Sequence, residues 1–302
     1  MKCKYPIVIA FIFLFIACNR EFKGDGDTNR HNLIHDDEKR RFHVYLPKNF
    51  DESKKYPVII ALHGRYGNAR KMPEMTNLNL IADEKELIIV YPNGYKRSWN
   101  DGREHGPAAE KGIDDVGFIA KLITFMNEKY PVSKKQFYAV GMSNGGFMTM
   151  RLACQLNHKI AAFASVTGGL SDDFNCQPGK HIPIMLVAGT DDPLVPYNGG
   201  TVANSNSKTI GFEDLLNFWG ENNSCNNLII EQLPIIKDDG IRAEKWSYDD
   251  CDPTCVLFKM IGAGHTWPSG GNFLNEEHVG KPSYEIDASR EIVDFFLSYS
   301  LN

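Results

Sequence analysis

Short apolar runs separated by stretches of helical period dominate this chain. Residues 58–62 (VIIAL), 87–90 (LIIV), 137–140 (FYAV), 161–166 (AAFASV), 184–188 (IMLVA) and 256–261 (VLFKMI) are continuous or nearly continuous apolar runs. Runs of this length without polar alternation mark strands buried on both faces, as in a parallel sheet. Residues 42–46 alternate instead and predict an outer strand. Between the runs, 116–130 carries Val116, Ile119, Leu122, Ile123 and Met126 close to a 3.6-residue period. Asp114 and Asp115 stand at its start, where carboxylates favour the helix dipole. Residues 145–156, 212–221 and 286–297 read as further helices, the last through Ile286, Ile292, Val293, Phe296 and Leu297. This alternation predicts an α/β fold with a mostly parallel sheet covered on both faces. The sequence shows no internal repeat or low-complexity run, and 302 residues fit a single domain.

The N-terminus reads as a targeting segment rather than as part of the fold. Lys2 and Lys4 precede an unbroken apolar run of 11 residues, 7–17, too short to span a bilayer. The run ends in Phe15-Ile16-Ala17-Cys18, a pattern that resembles a bacterial lipobox. Residues 1–17 are therefore expected to be a signal peptide and Cys18 a lipidated first residue, with plain signal cleavage as the alternative. Residues 18–37 are polar and without period and predict a flexible tether, leaving 38–302 as the domain.

Composition narrows the function classes. The chain is 42% hydrophobic and 24% charged, an ordinary globular balance, with a net charge of −5. Removing the targeting segment with its two lysines takes the mature chain to about −7. No block of basic residues remains, which argues against nucleic-acid binding. An exported chain meets an oxidising compartment, where disulfides are allowed. Five cysteines remain for the domain, Cys154, Cys176, Cys225, Cys251 and Cys255, so at least one stays unpaired within the chain. No pair has histidines at zinc-site spacing, and neither a metal nor another cofactor is expected.

The strongest chemical signal is Gly141-Met142-Ser143-Asn144-Gly145-Gly146, which follows a predicted strand and opens a predicted helix. A serine nucleophile at such a turn needs small neighbours two residues either side, and glycine supplies them. The turn also aims the Asn144 N–H at the position where an oxyanion would form. A hydroxyl needs a base to attack near neutrality, and His265, in a Gly-rich loop after the last predicted strand, is the candidate. In α/β-hydrolases the acid lies between the two in chain order. Asp191 and Asp192 follow the strand at 184–188; Asp192 is preferred because G-x-x-D-x-x-V-P places the acid at its fourth position in similar hydrolases, and Asp191 then belongs to the turn. The second oxyanion donor is expected from the Arg65 N–H, after the strand at 58–62. His63 reads as a structural histidine bracing that loop.

These residues are similar to a family: the secreted esterases that include polyhydroxybutyrate depolymerases and feruloyl or acetyl-xylan esterases, related to carbohydrate-esterase family one. The resemblance covers roughly residues 35 to 299. It rests on LHGRYGN (62–68), YPNGYKRSWND (91–101), IDDVGF (113–118), GMSNGG (141–146), GTDDPLVPYNGG (189–200), GAGHTWPSG (262–270) and EIDASREIVDFF (285–296). It implies a single-domain α/β-hydrolase fold and a Ser143–His265–Asp192 triad. It implies substrate contacts at Trp99, Asn100 and Trp267, with core packing as the plainer role of both tryptophans. Cys225 with Cys251, and Cys154 with Cys176, match cysteine pairs of relatives, while Cys255 has no counterpart and could compete for Cys225. The expected partner is an ester substrate, either polysaccharide-linked or an oligomeric polyester, and Trp99 and Tyr197 could stack on a phenolic acyl group. Membrane contact is expected through the lipid alone. Two alternatives remain at this point: a serine peptidase of the same fold, and a non-catalytic surface lipoprotein on a retired hydrolase scaffold.

Overall fold

All six apolar runs become parallel strands at the centre of one ten-stranded sheet. The computed structural model describes residues 24–301 apart from Lys180, Asp249 and residues 272–274. The expected signal peptide and Cys18 lie outside the described residues.

In chain order the elements are β1 (Asp27–His35), β2 (Glu38–Leu46), β3 (Tyr56–Leu62), α1 (Met72–Thr76), α2 (Leu78–Lys85), β4 (Ile88–Pro92), α3 (Pro107–Glu110), α4 (Asp115–Lys129), β5 (Val132–Met142) and α5 (Asn144–Gln155). There follow β6 (Ala162–Val166), β7 (Ile184–Gly189), β8 (Gly200–Thr201), β9 (Lys208–Thr209), α6 (Phe212–Asn222), β10 (Leu228–Gln232), β11 (Arg242–Tyr248), β12 (Cys255–Ile261), α7 (Glu276–Val279) and α8 (Ala288–Leu297). The large sheet runs β1-β2-β4-β3-β5-β6-β7-β12-β11-β10, with antiparallel pairs at both edges; β8 and β9 form a separate small ribbon.

Alternation of side chains across the strands divides the interior in two. Val58, Ile60 and Leu62 of β3 face one core, filled by Phe118 and Leu122 of α4, Phe147 of α5 and Trp219 of α6. Ile59 and Ala61 face the other, filled by Leu78 and Ile81 of α2 and by Ile292, Val293 and Phe296 of α8. Both faces are covered, which is why the central strands carry no polar alternation.

Two expectations change. Residues 27–35, expected within the tether, form β1, paired along its whole length with β2. Its side chains are mostly exposed, so backbone pairing rather than an apolar pattern makes it a strand. His31 adds an anchor, its ring against Phe42 and Phe125 and its Nε2 2.6 Å from the Tyr130 hydroxyl. Residues 42–46 consequently belong to a second strand, β2, and not to the outermost one. Asp114 caps α4 by accepting the Gly117 N–H, whereas Asp115 turns inward and pairs with Arg40 at 2.5 Å.

Cys154–Cys176 and Cys225–Cys251 are disulfides, and Cys255 is free and buried. Asn223 donates to the Cys255 sulfur, and burial pushes the thiol up to about 12, so it stays protonated and unreactive. Among the described residues no helix is long and apolar enough to cross a membrane.

Candidate active site

The serine sits where strand β5 breaks sharply into helix α5. Ser143 has φ 54° and ψ −122°, a region that L residues seldom occupy, and its N–H is bonded to the Val166 carbonyl of β6. Tight packing enforces the turn. A side chain on Gly145 would collide with the carbonyl oxygens of Leu62 and His63, and one on Gly141 with the Gly145 carbonyl. Asn144 is the first residue of α5, so its N–H has no intrahelical acceptor and belongs to the positive end of the helix.

Two loops at the carboxyl ends of neighbouring strands bring an imidazole and a carboxylate together. β7 ends at Gly189 and β12, its parallel neighbour, ends at Ile261. The loops beyond them are laced by Asp191 N–H to Ala263 O at 3.0 Å and Gly262 N–H to the Thr190 hydroxyl at 2.8 Å. His265 Nδ1 lies 2.7 Å from Asp192 Oδ2, both side chains almost fully buried. The other Asp192 oxygen accepts the N–H groups of Leu194 (2.8 Å) and Val195 (2.9 Å). The carboxylate is thus fixed in orientation. Asp191 is exposed and bonded to Thr190 instead, so of the two aspartates it is Asp192 that meets the histidine.

His265 and Met142, the residue before Ser143, line one cavity. Met75, Trp267, Val279 and Tyr284 are among its other lining residues. Nothing in the sequence pattern pointed to Met75, which reaches the site from short helix α1. Trp267 is held by its Nε1–H to the Ser289 hydroxyl at 2.9 Å, which in turn donates to the Thr76 carbonyl. It therefore presents a fixed apolar wall.

Trp99 and Asn100, expected to touch substrate, are structural. Trp99 is fully buried, its Nε1–H donated to the His63 carbonyl at 2.8 Å, so no ring face is open to a ligand. The Asn100 amide is spent on the Ile113 carbonyl, and its backbone N–H goes to Asp115. Tyr197 is likewise buried, stacked on Phe212 with its hydroxyl on Glu213, and offers no platform for an acyl group.

What the 99–103 segment does is clamp Asn144. The Asn144 side chain accepts the Trp99 N–H at 2.8 Å and donates to the Trp99 carbonyl at 3.0 Å and to Asp101 at 2.5 Å. Asp101 is in turn paired with Arg103 at 2.6 Å, and Arg103 lies 3.7 Å above the Phe147 ring. The sequence signal for Asp101 was present in the SWND stretch. The Arg65 guanidinium contacts the His105 ring, fixing the 63–67 loop from the opposite side.

His63 braces that loop as a neutral ring. Its Nε2 accepts the Gly94 N–H at 3.0 Å, so the proton sits on Nδ1 and is donated to the Gly64 carbonyl at 2.7 Å. Burial, with lesser repulsion from Arg97 and Arg40, brings its pKa down from 6.5 to about 4. The unfolded chain therefore binds this proton first. The stability contributed is fully present above pH 6.5 and is lost as pH falls through the folded value near 4. The loss is expected to approach ~3 kcal/mol. Urea unfolding between pH 7 and pH 4 should show it, and His63→Gln, which cannot take up the proton, should flatten that part of the profile.

Among the described residues, His35, Asp36 and Asp114 have ligand atoms close enough together for a cation. They lie at the surface, where Asp114 already caps α4 and bonds His35 at 3.0 Å, and they take no part in this site.

The geometry can be set beside known proteins. A family model described as "Putative esterase" matches residues 36–209, more than half of the chain. The chain belongs to this esterase family. The matched span holds Ser143 and Asp192, while His265 lies beyond it. "Putative esterase NocK" of Nocardia uniformis subsp. tsuyamanensis is 27% identical over 80% of this chain and 74% of its own length. "Feruloyl esterase B" of Piromyces equi is 30% identical over 62% of this chain, which spans only 36% of that protein. Among solved structures, an acetyl xylan esterase from Aspergillus awamori superposes with a TM-score of 0.59 at 14% identity, covering 80% of this chain and 94% of that one. That likeness shows the α/β-hydrolase fold. Family and fold together make this esterase a carboxylic ester hydrolase.

Proposed function

We propose that this esterase hydrolyses feruloyl or acetyl esters of polysaccharide through an acyl-enzyme on Ser143. The observation that carries the mechanism is the buried His265–Asp192 pair at 2.7 Å, whose histidine shares a cavity with Met142, the residue before the serine of a strained strand-to-helix turn. His265, with its Nδ1 proton held by Asp192, has Nε2 free of that bond to take the Ser143 proton as the hydroxyl attacks the ester carbonyl. The Asn144 and Arg65 amides receive the tetrahedral oxyanion. The imidazolium then protonates the departing alcohol, and water repeats the sequence to free the acid and restore the serine. The substrate class is supported by the feruloyl esterase name of the Piromyces equi relative and by the "Bifunctional acetylxylan esterase/xylanase XynS20E" of Neocallimastix patriciarum, 29% identical over 52% of this chain. Oligomers of hydroxybutyrate are the second reading.

The purified protein should release ferulate from methyl ferulate or acetate from acetylated xylan, and a fluorophosphonate probe should label Ser143. Absence of both label and turnover would instead favour the retired-scaffold binding protein; labelling with peptide cleavage and no ester cleavage would favour the peptidase. Both disulfides fit an exported protein. We further propose that Cys18 carries a lipid: Cys18→Ser should move the protein from the membrane fraction to the soluble fraction, and unchanged membrane association would refute it.

A further inference from the structure

A second cleft lies on the other side of helix α1 from the His265 cavity. Met75 of α1 lines the His265 cavity, whereas Lys71, Pro73 and Glu74 line the second cleft. The cleft measures about 560 Å³, within the range of small-molecule sites. Its far wall is the β1–β2 hairpin, where Arg30 and His43 are paired across the strands. Its near wall is the segment carrying Asn68, Arg70 and Lys71, which continues directly from the Arg65 loop of the site.

The charge of this cleft runs against that of the chain. Arg30, Arg70 and Lys71 face a single carboxylate, Glu74, in a protein whose net charge is −5. None of the three cations forms an ion pair among the described residues. Arg41 lies two residues from His43 and so on the same face of β2. His43 itself is half-buried, and its pKa is lowered by burial first and then by the charges of Arg30 and Arg70. All three side chains are exposed, so water screens their mutual repulsion and they stand free to meet an anion entering the concavity. Hydrogen-bonding groups line the same walls: Asn68, and the neutral imidazole of His43, which can both donate and accept. Carboxylate recognition by arginine combined with amide and imidazole contacts suits a charged sugar. The three cations are exposed but rim a concavity, which a saccharide chain can enter and a flat bilayer cannot fill.

We propose that this cleft binds a uronate-bearing saccharide chain, holding an acidic polysaccharide so that a neighbouring esterified unit reaches Ser143 across α1. The placement of the ester rests on the reading given under Proposed function; the binding itself does not.

The experiment is titration of the full chain with oligogalacturonate as the probe at low salt, beside a neutral cello-oligosaccharide of equal length. The wild type should bind the acidic oligomer and not the neutral one, and high salt should abolish the binding. The Arg30→Gln, Arg70→Gln, Lys71→Gln triple variant should bind at least about tenfold more weakly. Its turnover of methyl ferulate should match that of the wild type, because none of the three residues touches the His265 cavity. Equal affinity for both oligomers, or unchanged affinity in the triple variant, overturns the proposal. So does a triple variant that loses binding to anionic phospholipid vesicles when the wild type ignores oligogalacturonate, which would make the cleft a membrane contact. If no ester is turned over but cation-dependent binding persists, the hydrolase reading fails and the cleft stands.

Discussion

Ser143→Ala is expected to lower kcat on a soluble aryl ester by on the order of 10⁴-fold or more, with a much smaller change in KM. The variant removes only the oxygen proposed to attack. Alanine is smaller than serine and keeps the N–H bonded to Val166, so the turn stays closed and the protein stays folded. The His265–Asp192 pair also survives, but without the hydroxyl it has no nucleophile to deprotonate. What remains is the acceleration that binding and the oxyanion donors give to attack by water. His265→Ala should cost about as much, and the double variant little more, because nucleophile and base act as one unit. Steady-state kinetics with active-site titration decides the matter, and near-full turnover by Ser143→Ala would remove the serine from the mechanism.

Asp115→Ala should destabilise the protein by ~3–5 kcal/mol. In a chain of this size, that corresponds to a fall of about 10 °C in the thermal midpoint. Asp115 and Arg40 form an ion pair whose side chains are almost completely buried, with Arg40 stacked 4.0 Å over the Phe118 ring. Burial outweighs the nearby guanidinium and pushes the Asp115 carboxyl above its ordinary range, a sign that desolvation exceeds the Coulomb gain. The intact pair therefore adds little stability of its own, yet deleting one partner strands the other's charge in the core. Asp115 also accepts the Asn100 N–H, so its loss loosens the segment that clamps Asn144. Replacing both partners, Arg40→Met with Asp115→Leu, should recover most of the stability but not that hydrogen bond. Calorimetry on the single and double variants tests both statements, and a single variant as stable as the wild type would show that the pair is not isolated from water.

What could be read in the sequence was what depends on apolar runs and on steric necessity. The six central strands announce themselves because both faces are buried, and the glycines around Ser143 are the only side chains that fit there. The approach of Asp192 to His265 followed from strand-end positions, since neighbouring parallel strands place their following loops side by side. Edge strands escaped for the opposite reason. β1 and β10 are held by backbone pairing and leave most side chains in water, so they carry no periodic apolar signature. Asp114 and Asp115 read alike at a helix start, but adjacent helical positions point about 100° apart. One therefore caps the helix and the other meets Arg40. Trp99 shows the limit of inference from a motif: position near a site does not say whether a side chain faces ligand or core.

Edge strand β1 also sets a geometric bound. Only eight residues, 19–26, separate Cys18 from its first residue, Asp27. Fully stretched, that is a leash of about 30 Å, shorter than the diameter of the domain it would restrain. If Cys18 is acylated as proposed, the enzyme works as a surface-bound trimmer with a small working radius, meeting fragments that diffuse to the cell and not fibres at a distance.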